Sequence, residues 1–188
     1  MAVVTTKSAS ITGLDASPPF FPPTGEGAAG HLWRLNDFVA ATSGDSIGSI
    51  YRFTRVPTNA KIKRVSLSSL VTGAGAGDID IAYSDSLFDG TNPILQAQAS
   101  GIIQISAADC KVFGSAVSLA TAIKNQDQSF ANIWTIQNSN QPLWAALLAL
   151  GVTQFTADPG GKFDFVIKLT TGISVASGTI GLEVDYVM

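Results

Sequence analysis

From residue 31 to the end of the chain, apolar and polar residues alternate in short runs that Gly, Pro, Asn and Asp punctuate. A period of two is the spacing of a strand with one buried face. In 78–84, Ile79, Ile81 and Tyr83 fall on one face and Asp78, Asp80 and Ala82 on the other, which predicts a half-buried antiparallel strand. Residues 162–171 alternate Phe163, Phe165, Ile167 and Leu169 against Asp164, Val166 and Lys168. Residues 179–187 alternate Ile180, Leu182, Val184 and Tyr186 against Gly181, Glu183 and Asp185. The Gly/Ser-bearing stretch 171–178 between these two runs predicts that they pair as a hairpin.

Runs at 31–42, 48–56 and 61–72 read as further strands, with Val65 and Leu67 on one face of the last. Val56-Pro57-Thr58-Asn59 supplies a turn with proline at its head, and 73–77 is a pliable Gly/Ala turn. Roughly seven to nine strands result, the range of a β-sandwich or jelly roll. The fold class is therefore mainly β, an antiparallel β-sandwich or jelly-roll-like domain over 31–188 with one or two short helices.

One helix stands out at 140–151, with Pro142 near its first turn and Gly151 closing it. It is apolar nearly all round. It is therefore either buried or packed across a subunit interface, and Leu143, Trp144 and Leu147 are the candidate oligomer contacts. Residues 106–109 can start a second helix with Ser106 as cap; 113–123 fits helix or strand, and 84–101 reads as loop.

Residues 1–30 differ from the rest and read as an extended arm. Residues 2–6 can form a short strand, and prolines at 18, 19, 22 and 23 forbid a helix or a central strand nearby. Phe20 and Phe21, set among those prolines, suit docking on the chain's own domain or on a neighbour, because disordered tails are poor in aromatics.

Only 13% of residues are charged, about half the usual share, and the glutamates are Glu26 and Glu183 alone. Exposed helices need more. So does an ordinary soluble surface, which points to partners covering part of this one; a compact monomer with a Ser/Thr surface is the other reading. The net charge of −3 disfavours nucleic acid and anionic membranes as partners. No signal-peptide pattern opens the sequence and no run of 18 apolar residues occurs, so no membrane association is expected. Cys110 stands alone, in keeping with a reducing compartment.

The chemistry-bearing residues are sparse. His31 is the sole histidine and no nucleophile elbow accompanies it, so neither a Ser-His-Asp nor a Cys-His site is expected. One His and one Cys cannot make a structural zinc site. Asp85 and Asp89 share a loop without the ligand spacing of an EF-hand, which leaves turn chemistry or a weak calcium site. Residues 73–77 lack the Lys-Ser/Thr of a phosphate loop. The expectation is a protein with no cofactor that is not an enzyme.

Arg52, Arg55, Lys61, Lys63 and Arg64 crowd five of the 11 basic residues into one stretch. They read as a solvated sheet edge or as a contact patch for an acidic partner surface.

The opening 4–12 and 14–18, the stretch 49–62 (Ser49-Ile50-Tyr51-Arg52-Phe53 into Arg55-Val56-Pro57-Thr58-Asn59-Ala60-Lys61-Ile62), and Asp78-Ile79-Asp80-Ile81-Ala82-Tyr83, together with 113–119, 141–144 and 163–166, resemble head decoration (cement) proteins that tailed phages encode beside the major capsid gene. That resemblance implies a virion protein made in the host cytoplasm. It would bind the outside of the capsid, with the major capsid protein as partner, often as a homotrimer, and bridge capsomers. Phe20, Phe21 and the five cations would then be candidate capsid contacts. A head-fibre, neck or tail subunit, or a carbohydrate-binding adhesin-like module, would share this composition.

Overall fold

The computed structural model describes residues 4–15, 32–70, 75–84, 101–105, 108–173 and 178–188. The expectations for Phe20 and Phe21, His31, Asp85 and Asp89 fall outside them. Among the described residues there are eleven strands: β1 Thr5–Lys7, β2 Leu32–Ala41, β3 Ile50–Pro57, β4 Lys61–Ser69, β5 Ala76–Tyr83, β6 Gln104–Ile105, β7 Ala108–Asp109, β8 Gly114–Ser118, β9 Ile123–Asp127, β10 Lys162–Thr171 and β11 Gly178–Val187. Two short α-helices, α1 Ala9–Leu14 and α2 Leu143–Ala149, accompany them.

One sheet runs β1-β3-β10-β5-β8 and the other β2-β11-β4-β9. The antiparallel pairs nest from the outside of the sequence inward: β2 with β11, β3 with β10, β4 with β9, β5 with β8. That is a long hairpin rolled up so that successive strands cross between the sheets, with the two four-strand sets of a jelly roll. It explains a correction. β10 and β11 alternate as expected but do not form a hairpin; each pairs with its counterpart from the other end of the roll, in a different sheet. Alternation states which face a side chain takes and leaves the partner open.

The inward rows of both sheets merge into one apolar core, with Tyr51, Phe53, Phe163 and Phe165 from the first sheet meeting Leu67 and Leu182 of the second. Gly77 lies where β5 crowds β10: a Cβ there would sit 2.4 Å from Ile167 Cγ2. β5 departs from the half-buried expectation, because its Asp78–Asp80–Ala82 face is buried as well. Residues 101–103 extend along its edge, through Tyr83 N–H to Gly101 O and Ile103 N–H to Ile81 O. The β6–β7 pair that follows brings Asp109, Cys110 and Lys111 over the outer face. Of the stretch 106–109 expected to start a helix, 106–107 lie outside the described residues and Ala108–Asp109 form β7. The ambiguous 113–123 stretch contains strand β8.

Part of the expected arm belongs to the domain. β1 adds parallel to β3, and α1 follows it, capped by Ser8, whose hydroxyl accepts from Ile11 N and donates to Phe53 O. Ile11 is fully buried.

Candidate interaction surface

The five clustered cations do not form one surface. β3 and β4 lie in different sheets, and a bulge in β3 changes the side chains' phase. Thr54 and Arg52 pair with the successive residues Phe165 and Val166 of β10, leaving Phe53 as the extra residue. Arg52 and Arg55, three apart, thereby share the outer face of the first sheet, and both converge on Asp164, the partner of Arg55 in register.

Arg55 forks onto the Asp164 carboxylate through Nε at 2.7 Å and Nη2 at 3.1 Å; Arg52 Nη1 adds a third bond at 3.0 Å and also donates to Tyr83 O. The remaining arm of Arg55 donates to Asp15 at 2.8 Å, and Lys7 holds the other Asp15 oxygen at 2.9 Å. Burial pushes the Asp15 carboxyl up, but the Arg55 and Lys7 bonds outweigh it and hold Asp15 below its usual range. At Asp164 burial also raises the carboxyl against the pull of Arg55 and Arg52. Three aligned N–H donors from two guanidinium groups keep it as the carboxylate. Arg52 and Arg55 are 4% and 7% exposed, so neither is a solvated sheet-edge charge. They join the N-terminal segment to the first sheet.

The other three cations lie on β4 and are partly exposed. Lys63 donates to Ser139 O and Asn140 Oδ1, and Arg64 lies 3.8 Å from Glu183. Lys61 stands at the start of the strand.

The helix expected to be either buried or at a subunit interface packs into its own core. Leu143 and Leu147 are fully buried, and Trp144 packs partly buried against the same cluster. Pro142 at the N-cap precedes two amides that bond the β3–β4 turn, Leu143 N–H to Ala60 O and Trp144 N–H to Thr58 O. α2 is a plug at one end of the sandwich.

A second polar cluster sits under residues 109–111. Asp80 is fully buried, accepts from Lys111 N–H and the Cys110 thiol, and leaves Oδ2 without a partner. Lys111 pairs with Asp78 at 3.3 Å, and Lys168 pairs with Asp109. Burial, with Asp109 and Asp78 nearby, pushes the Asp80 carboxyl up to about 7 against the Lys111 bond. Burial also pushes the Cys110 thiol up, which suits a core residue and opposes a nucleophile. Among the described residues no three His, Cys, Asp or Glu side chains are grouped to hold a metal ion. No helix among them is long and apolar enough to cross a membrane.

What the surface offers instead is apolar. Phe130, Ile133 and Ile136 project from the segment after β9 at 51%, 39% and 72% exposure. On the second sheet, Leu32 and Phe38 stand exposed on β2. Leu70 flanks a shallow groove of about 280 Å³ floored by Gly181. Trp134 is buried, while Trp33 is partly buried and stacks on Tyr186, so the tryptophans build no sugar-binding platform. Sequence reasoning passed over these exposed residues. Phe38 carried a usable signal, since it falls in the polar phase of β2 with Arg34 and Asn36.

Fold and surface together define a class, a jelly-roll β-sandwich with internal ion pairs and exposed apolar groups. No protein-family model matches the chain, and no curated protein matches it. Among solved structures, a chain of the cyanophage Pam1 capsid asymmetric unit is similar at a TM-score of 0.45 and 13% identity, over 92% of this chain and 95% of that one.

Proposed function

We propose that this chain is a non-catalytic building block of a phage virion that binds the outer surface of the capsid and stabilises the shell by bridging capsomers, with the major capsid protein and further copies of itself as partners. The observation that carries the reading is the exposed apolar trio Phe130, Ile133 and Ile136 on a scaffold whose buried charges tie its own elements together. Three exposed apolar side chains on one short segment suit a surface that another protein covers. The residues that carry the resemblance to cement proteins supply the frame: 49–62 spans β3, the turn and the start of β4, and 163–166 holds Asp164. A protein that binds the assembled shell and not its free subunits stabilises the shell by linkage, and many weak contacts on one lattice add by avidity.

Purified protein is expected to co-sediment with expanded capsids that lack it. Changing Phe130, Ile133 and Ile136 together to Ser is expected to weaken that binding by about tenfold or more while leaving the fold intact. Equal binding by the triple variant, or no binding by the parent, would count against the reading.

A further inference from the structure

The edges of the two sheets are not equally defended. On the first sheet, β1 is three residues long and α1 continues beyond it, while β8 carries Ala116 at φ 48 and a register break. On the second sheet, β9 is short, charged, and irregular at Asn125, φ 50. Such devices keep edges from recruiting further strands. β2 carries the charges Arg34 and Asp37 but neither the shortness nor the irregularity of the other edges. It runs ten residues in unbroken register with β11, and among the described residues its backbone bonds to that strand alone. Its outward row reads Leu32, Arg34, Asn36, Phe38, Ala40, with Leu32 at 56% and Phe38 at 66% exposure.

We infer that β2 is the site at which a second copy of this chain adds, strand against strand and antiparallel, joining the two four-stranded sheets into one continuous sheet. The sequence of the edge selects the partner and the register. A two-fold axis normal to the sheet keeps each row on its own face, so each residue meets one of the same row. Centring on Asp37 sets carboxylate against carboxylate, and centring on Arg34 sets guanidinium against guanidinium; both are unfavourable. Centring on Asn36 retains nearly the whole strand. It meets amide with amide, sets Leu32 against Ala40, and places Arg34 of each protomer opposite Phe38 of the other. That last pair sets a cation beside the exposed ring, and to reach across the edge Arg34 leaves the bidentate bond it makes to Asp185 of β11 at 2.8 and 3.0 Å. A strand that complements itself in this way fits a second copy better than a foreign strand. The inference is independent of capsid binding and makes the elementary unit a two-fold pair, where the resemblance implies a three-fold one.

The full-length chain tests this directly. Opposed residues of an antiparallel pair are close enough for a disulfide. Asn36→Cys is expected to give, under mild oxidation, a covalent pair of twice the chain mass, while Arg34→Cys and Ala40→Cys link far less. Cys110 is buried and serves as the internal control. In sedimentation, Asn36→Lys with Phe38→Lys is expected to halve the mass of the parent species with unchanged circular dichroism. A monomeric parent, a trimer whose mass ignores both lysines, or equal linking at all three positions would overturn the inference.

Discussion

At the scale of single residues, what decides the structure is where charge is buried. Asp164 holds two arginines inside the first sheet, and removing one partner of such a set strands the others without compensation. Asp164→Ala is expected to cost about 3–5 kcal/mol in denaturant unfolding, whereas Lys61→Ala, at the partly exposed start of β4, changes stability by about 0.5 kcal/mol or less. Asp80 works in the opposite sense. Its folded carboxyl titrates at about 7 against an ordinary 3.8, so the folded protein binds a proton there that the unfolded chain does not. Its contribution is present at low pH and is lost as pH rises through about 7. Denaturation midpoints should therefore be higher near pH 5 than near pH 8, and Asp80→Asn should flatten that difference. Part of this was legible beforehand. The clustering of Arg52 and Arg55 was plain, but on a regular strand residues three apart point to opposite faces. Only the bulge at Phe53, which no residue type announces, turns both onto Asp164.

At the scale of elements, the sequence located strands far better than it paired them. β2, β4, β5, β10 and β11 lie within a few residues of their alternating runs, and Pro142 and Gly151 bracket α2. Those signals are local. Pairing in a rolled hairpin joins residues more than a hundred positions apart, as in β2 with β11, and local alternation carries no information about that. The same limit hid the role of the N-terminal segment, whose β1 and α1 close the β3 edge. A chain beginning at Gly30 loses the buried Ile11 and leaves an arm of Arg55 without Asp15. It should unfold at a clearly lower denaturant concentration than the full chain, and Ser8→Ala should cost about 1 kcal/mol through the lost cap. Any fall in capsid binding by such a truncation must be read against that loss. Gly77→Ala should destabilise too, since its methyl would meet Ile167 at 2.4 Å.

At the scale of the whole molecule, low charge and a jelly-roll frame leave the surface to carry the function. The frame spends Arg52 and Arg55 on Asp164 and Asp15, α2 on one end of the core, and most aromatics on the interior. Among the exposed apolar groups, the Phe130–Ile133–Ile136 segment is proposed for the capsid and the β2 edge for a second copy, while Ile47, Leu70 and Met188 stand exposed elsewhere. Low charge raised the expectation that partners cover part of this surface, and alternation could not say where, because loops such as 129–137 follow no period. Binding of the protein is proposed to strengthen the shell. This is tested by heating expanded capsids that lack the protein, with and without a saturating addition of it, and following release of the packaged DNA. Release is expected at a higher temperature with the parent chain and with a smaller gain for the apolar triple variant. Release at the same temperature in spite of saturated binding would contradict it.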